Sequence, residues 1–169
     1  MKKNNPVFGF TLIELIIVIV ILGILAVIAA PRLIDLSSEA KIASINSIAS
    51  QVRAAASMVQ NKARVKGLKI AANAANQDQL IIDFGFGSAE VGWSNLCPES
   101  LAELGDRLTL IDFINLPASD QLQTRVDNQY ALIGYQVPAS GVPINEGCYL
   151  IYNSYTSPNC TVTVVDVDC

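Results

Sequence analysis

The chain has 169 residues, enough for one modest domain and an appendage. Its formal charge of −4 argues against nucleic acid as a partner. It contains no His, which removes the Ser-His-Asp and Cys-His catalytic arrangements.

The first element in chain order is an apolar run behind a basic start. Lys2 and Lys3 precede 21 residues, Phe10–Ala30, that are apolar, Gly or Thr except for Glu14. About 20 such residues cross the hydrocarbon of a bilayer, and flanking lysines favour a cytoplasmic N-terminus with the C-terminal part exported. A secretory signal is the poorer reading, because the run is too long and lacks a clean small-x-small cleavage site before Pro31. A plain anchor leaves Glu14 unexplained. A carboxylate at the centre of a span costs roughly 2.5–3.5 kcal/mol, less near its end, and calls for a cationic partner. Cleavage between Gly9 and Phe10 would create one, an α-amino group. A neighbouring copy shifted along the helix axis could bring that amine to Glu14.

The stretch Gly9-Phe10-Thr11-Leu12-Ile13-Glu14, with its short basic leader and the apolar run Leu15–Ala30, resembles the N-terminal signature of type IV prepilins. The resemblance implies cleavage by a prepilin peptidase after Gly9 and N-methylation of Phe10. Losing Lys2 and Lys3 would leave 9 basic and 15 acidic residues, a side-chain charge of −6. Ala29-Ala30-Pro31-Arg32-Leu33 and the Cys148-Tyr149-Leu150-Ile151-Tyr152 segment are similar to those of mannose-sensitive haemagglutinin pilins.

The helix is expected to continue past Pro31, weakened there because proline lacks the donor to Val27 and clashes with its carbonyl. Ile42, Ile45, Ile48, Ala49, Val52, Ala55, Ala56, Val59 and Ala63 recur at steps of three and four, the mark of an amphipathic helix. Gly67 is a plausible stop. From Phe10 to Lys66, 57 residues would span about 85 Å. Lys62, Arg64, Lys66 and Lys69 read as a solvated helix end rather than a binding patch.

Between 68 and 128 the pattern predicts a short strand at Gln79–Phe84, a short helix at Asn95–Leu104 with Pro98 in its first turn and Gly105 after its end, and a helical turn or two within Asp106–Ile114. The last third is rich in Tyr, Val, Ile and Thr, and predicts strands at Gln129–Val137, Cys148–Asn153 and Thr161–Val167. With turn-rich links, they form an antiparallel meander whose one face covers the amphipathic helix. The expected fold is α+β, with leader 1–9, apolar helix 10–30, amphipathic continuation 31–67 and head 68–169.

The four cysteines, Cys97, Cys148, Cys160 and Cys169, lack metal-ligand spacing and suit disulfides in an oxidising compartment. A hairpin turning at Ser154–Asn159 places Cys148 near Cys169 across its open end, which leaves Cys97 for Cys160. The likeness to other type IV pilins implies the rival pair, Cys148 with Cys160. No metal or cofactor is expected. Asp166 and Asp168 with Glu146 or Asp83 form only a weak calcium pattern. Tyr149, Tyr152 and Tyr155 are expected to pack rather than to form a sugar surface, and Trp93 to anchor core or loop.

No catalytic constellation emerges, so an enzyme is not expected. The resemblance implies a structural subunit of a type IV pilus serving surface attachment. Its partners would be copies of itself, minor pilins, prepilin peptidase and an inner-membrane assembly platform. It would begin as a single-pass inner-membrane precursor and end as an extracellular pilus on a Gram-negative cell. Glu14, Phe10 and Pro31 would be the assembly residues. The alternatives are a pseudopilin of a type II secretion system, which shares the same N-terminus, and a membrane-anchored binding protein that never polymerises.

Overall fold

The computed structural model describes residues 11–71, 80–103 and 105–169, with backbone alone for 29–35. It divides into two compact units, Met1–Glu39 and Ala40–Cys169. Helix α1, Leu12–Val65, contributes residues to both, and its helical assignment runs through Pro31.

The C-terminal unit is built on the amphipathic part of α1. Ile45, Ile48, Ala49, Val52, Ala55, Ala56, Val59 and Ala63 are all buried, while Ile42 is half-buried. The helix ends in a Schellman motif. The N–H of Gly67 donates to the carbonyl of Arg64, that of Leu68 donates to Ala63, and Gly67 takes the left-handed conformation at φ 88°.

Strands β1 (Ile81–Asp83) and β2 (Ser88–Glu90) form a small antiparallel hairpin. The main sheet takes β3 (Gln123–Val126), β4 (Tyr130–Gly134), β5 (Tyr149–Asn153) and β6 (Thr161–Val165) in sequence order, each antiparallel to the next. Leu150 faces Val164 and Ile151 faces Thr163 across the β5–β6 pair. Ala131, Ile133, Leu150 and Tyr152 share a core with Ile45, Ile48, Ala49 and Val52 of the helix. Leu132, Tyr149 and Val165 form a separate cluster. The period of two thus sends Tyr149 and Tyr152 to opposite faces. Both rings are fully buried, so they make no exposed sugar surface with Tyr155.

One local expectation is corrected, one is met in its smallest form, and one strand is new. Asn95–Leu104 is not a helix among its described residues. Pro98 instead pairs antiparallel with Val91, and buried Leu96 sits at φ 62°. The Asn95 side chain holds this geometry: its Nδ2 donates to the carbonyls of Ser154 and Thr156, and its Oδ1 accepts from the N–H of Cys97. Within Asp106–Ile114 the helical part is a single 3-10 turn, Leu110–Phe113. Strand β3 was not expected at all. Gln79, the first residue of the first expected strand, lies outside the described residues, and β1 covers the rest only from Ile81 to Asp83.

Cys97 is bonded to Cys160 and Cys148 to Cys169, with Cα separations of 6.0 Å and 4.8 Å. The Cys148–Cys160 loop is therefore not the one formed. Gln60, buried on α1, donates from Nε2 to Cys97 Sγ at 3.2 Å and to the carbonyl of Asn95 at 2.9 Å.

Gly134 is required by the β4–β5 pairing. A Cβ there would run into the carbonyl oxygen of Cys148 and into Tyr149, the residue opposite it. Tyr149 cannot move aside, because its hydroxyl donates to the carbonyl of Ile144 at 2.6 Å and accepts from its N–H at 3.1 Å. Gly134→Ala is therefore expected to destabilise the head by about 2–3 kcal/mol. Urea unfolding measures it, and a loss within 0.5 kcal/mol, roughly the size of an ordinary surface substitution, would refute the steric account.

Candidate assembly site

The N-terminal end of α1 carries the sequence's one charged residue within the apolar run. Thr11 sits just before the first helical residue, and Glu14 lies in the first turn. The Glu14 carboxylate accepts from the N–H of Thr11 at 3.0 Å and from its hydroxyl at 2.8 Å, while the N–H of Glu14 donates to Thr11 Oγ1 at 3.4 Å. This is a capping box, in which two otherwise orphaned backbone donors are satisfied reciprocally. The Thr-x-x-Glu spacing is itself a signal for such a box, and treating Glu14 only as a charge in a span misses the part Thr11 plays.

The helix beyond this cap is greasy on every side. Leu12, Ile13 and Leu15 through Leu22 are between 41% and 75% exposed, as are Ile24, Leu25, Val27 and Ile28. A helix apolar around its whole circumference needs lipid or other helices around it. No helix among the described residues is long and apolar enough to cross a membrane. The described apolar segment Leu12–Ile28 covers 17 residues. Phe10, and with it the Gly9–Phe10 junction, lies outside the described residues, and the side chain of Pro31 is likewise not described.

Elsewhere the expected candidates separate. Lys62 lies over the ring of Phe84 at 4.3 Å, and Lys66 Nζ donates to the carbonyl of Ile81 at 2.7 Å, so two cations of the helix end hold the β1–β2 hairpin. Asp168 Oδ2 accepts from the N–H of Gly147 at 2.8 Å and closes the C-terminal loop. Among the described residues, no group of three or more His, Cys, Asp or Glu is placed to hold a metal ion.

Residues 4–30 match the prokaryotic N-terminal methylation motif. A relative from Thermus thermophilus, the type IV narrow pilus major component PilA5, is 57% identical over 47 residues. Those residues are 28% of this chain and 40% of the relative, so the chain spans less than half the length of the curated relative it matches. Both likenesses support the type IV pilin family. No solved structure matches the chain.

Proposed function

We propose that this chain is a structural subunit of a type IV filament. A prepilin peptidase removes residues 1–9 at Gly9, Phe10 is N-methylated, and the subunit polymerises through its N-terminal helix. The carrying observation is the methylation motif over residues 4–30 leading into a helix whose apolar side chains are exposed all round. Before assembly those side chains sit in the inner membrane. In the filament they sit among copies of themselves.

In this reading Glu14 of an incoming subunit attracts the α-amino group of Phe10 in a subunit already at the filament base. Charges in low dielectric are costly when unpaired, so the pair selects the axial stagger. Pro31 marks the place where the helix loosens on leaving the bilayer. The antiparallel head, with two disulfides and no catalytic group assigned, is suited to an exported fibre surface. Minor pilins and an inner-membrane platform are the assembly partners, and surface attachment, as in mannose-sensitive haemagglutinin pili, is the proposed role of the extracellular filament.

Mass spectrometry of material sheared from cells tests processing directly. The expected subunit begins at Phe10 and is one methyl group heavier than the unmodified mature chain. Recovery of only the intact Met1 chain, in membranes, would overturn the proposal in favour of a non-polymerising anchored protein. Purification of the mature chain with a secretion channel, and with no surface filament, would favour the pseudopilin.

A further inference from the structure

Two glutamates in the head are placed against each other without serving the core or the assembly helix. Val91 pairs antiparallel with Pro98, and the N–H of Glu99 donates to the carbonyl of Glu90 at 3.2 Å. Glu90 and Glu99 therefore stand opposite one another, with their side chains on the same side of the pair. Glu90 is 1% exposed. Its Oε2 accepts from the N–H of Glu103 at 3.3 Å, and its Oε1 is fully buried with no hydrogen-bond partner.

Among the described residues, no ion pair to Glu90 or Glu99 is formed. Glu103 adds a third carboxylate, one of whose oxygens accepts from Asn128 Nδ2 at 3.2 Å. Tyr152, from β5, donates its hydroxyl to the carbonyl of Pro98 at 2.6 Å. Tyr155 lies within the field of Glu103, Glu99 and Asp127. Burial, then the charges of Glu90 and Glu103, push the Glu99 carboxyl up to about 7. A proton on Glu99 lowers the cost of its burial and removes the like-charge repulsion with the residue opposite it.

We propose that Glu99 holds a proton in the folded head because it stands opposite buried Glu90, and that losing this proton loosens the Glu99 segment from β2. The folded chain keeps this proton to higher pH than the unfolded chain does. Between the ordinary carboxylate range and about pH 7 the native state thus binds more protons, and stability falls as pH rises. A filament subunit built this way has a head that is tightest in mildly acidic surroundings.

The test uses the full chain in detergent micelles, followed by thermal unfolding at pH 5 and pH 8. The wild-type midpoint is expected to fall by roughly 5 °C across that interval, after discounting for the partial exposure of Glu99. Glu99→Gln should be nearly flat and more stable than wild type at pH 8. Amide exchange on the wild type supplies a second readout. After correction for intrinsic pH dependence, the Glu99 and Glu103 amides, the two that bind Glu90, should lose protection between pH 6 and pH 8. Parallel pH curves for wild type and Glu99→Gln, or unchanged protection, would overturn the proposal. So would a wild-type midpoint that responds to calcium rather than to pH, since the pair would then hold a cation instead of a proton.

Discussion

Replacing Cys97 and Cys160 together by serine is expected to lower the stability of the head by about 4 kcal/mol. The bond joins residues 63 apart, against 21 for Cys148–Cys169. In the chain-entropy account the longer loop restricts the unfolded chain more, with about 3.4 kcal/mol expected for the shorter one. The folded state widens the gap. Cys97 and Cys148 are both fully buried, so the difference lies in the Cys97 sulfur, which accepts from Gln60 of α1 and from the N–H of Cys160. Serine would place a hydroxyl in that site and leave the Gln60 amide with a changed acceptor. The Cys169 end keeps other ties: Lys41 Nζ donates to the carbonyl of Cys169 at 3.3 Å, and the N–H of Asp168 donates to Gly147 at 3.1 Å. Denaturant unfolding of the two double variants checks the ranking. A larger loss from Cys148/Cys169 than from Cys97/Cys160 would mean that the C-terminal loop, not the Asn95 turn, organises the head. Against a typical total of 5–15 kcal/mol, either loss is a large share.

The helical half of the head was legible because its signal is periodic. The steps of three and four that run from Ile45 to Ala63 survive as the buried stripe, covered by the main sheet as far as Ala56 and by the β1–β2 region at Val59 and Ala63. Strands β4, β5 and β6 were legible through Tyr, Val, Ile and Thr, although the expected strands overran β4 at both ends, β5 at its start and β6 at its end. Strand β3 was not. Gln123, Thr124, Arg125 and Val126 lie at the sheet edge, with the first two exposed, so no alternation of apolar and polar residues marks it. Arg125 instead works sideways, donating to the carbonyl of Pro138 at 2.8 Å and pairing with Asp127 at 3.0 Å.

The Asn95–Leu104 segment shows how tertiary contacts override local punctuation. Pro98 and Gly105 sit where a helix start and stop would put them. Asn95 needs the non-helical turn to reach Ser154 and Thr156, and Cys97 needs it to reach Cys160. The Glu90–Glu99 pair was equally hidden. Their opposition depends on the Val91–Pro98 bridge, which no local pattern announces. The assembly end shows the reverse case. Thr11 and Glu14 are three apart, a spacing that signals a capping box, although Glu14 was expected only as a charge seeking a cation.

That box sharpens the expected behaviour of Glu14, because it gives one carboxylate two separable jobs. As a cap it satisfies the Thr11 N–H, a role worth about 1 kcal/mol and one that Gln also fills. As a docking charge it would meet the α-amino group of Phe10 in another subunit, and removing one partner of such a pair in low dielectric costs roughly 3–5 kcal/mol. Each docking event would then weaken by about 100-fold or more. Glu14→Val, which removes both roles, is expected to abolish surface filaments while the precursor still reaches the membrane. Glu14→Gln keeps the cap geometry and loses the charge, so it should fail almost as completely. Thr11→Ala keeps the charge and loses the cap, and should retain most filaments. Shearing filaments from cells and quantifying the subunit against membrane-held precursor gives all three values. If Glu14→Gln assembles like wild type while Thr11→Ala does not, the carboxylate serves its own helix. The register between subunits must then come from packing along Leu12–Ile28.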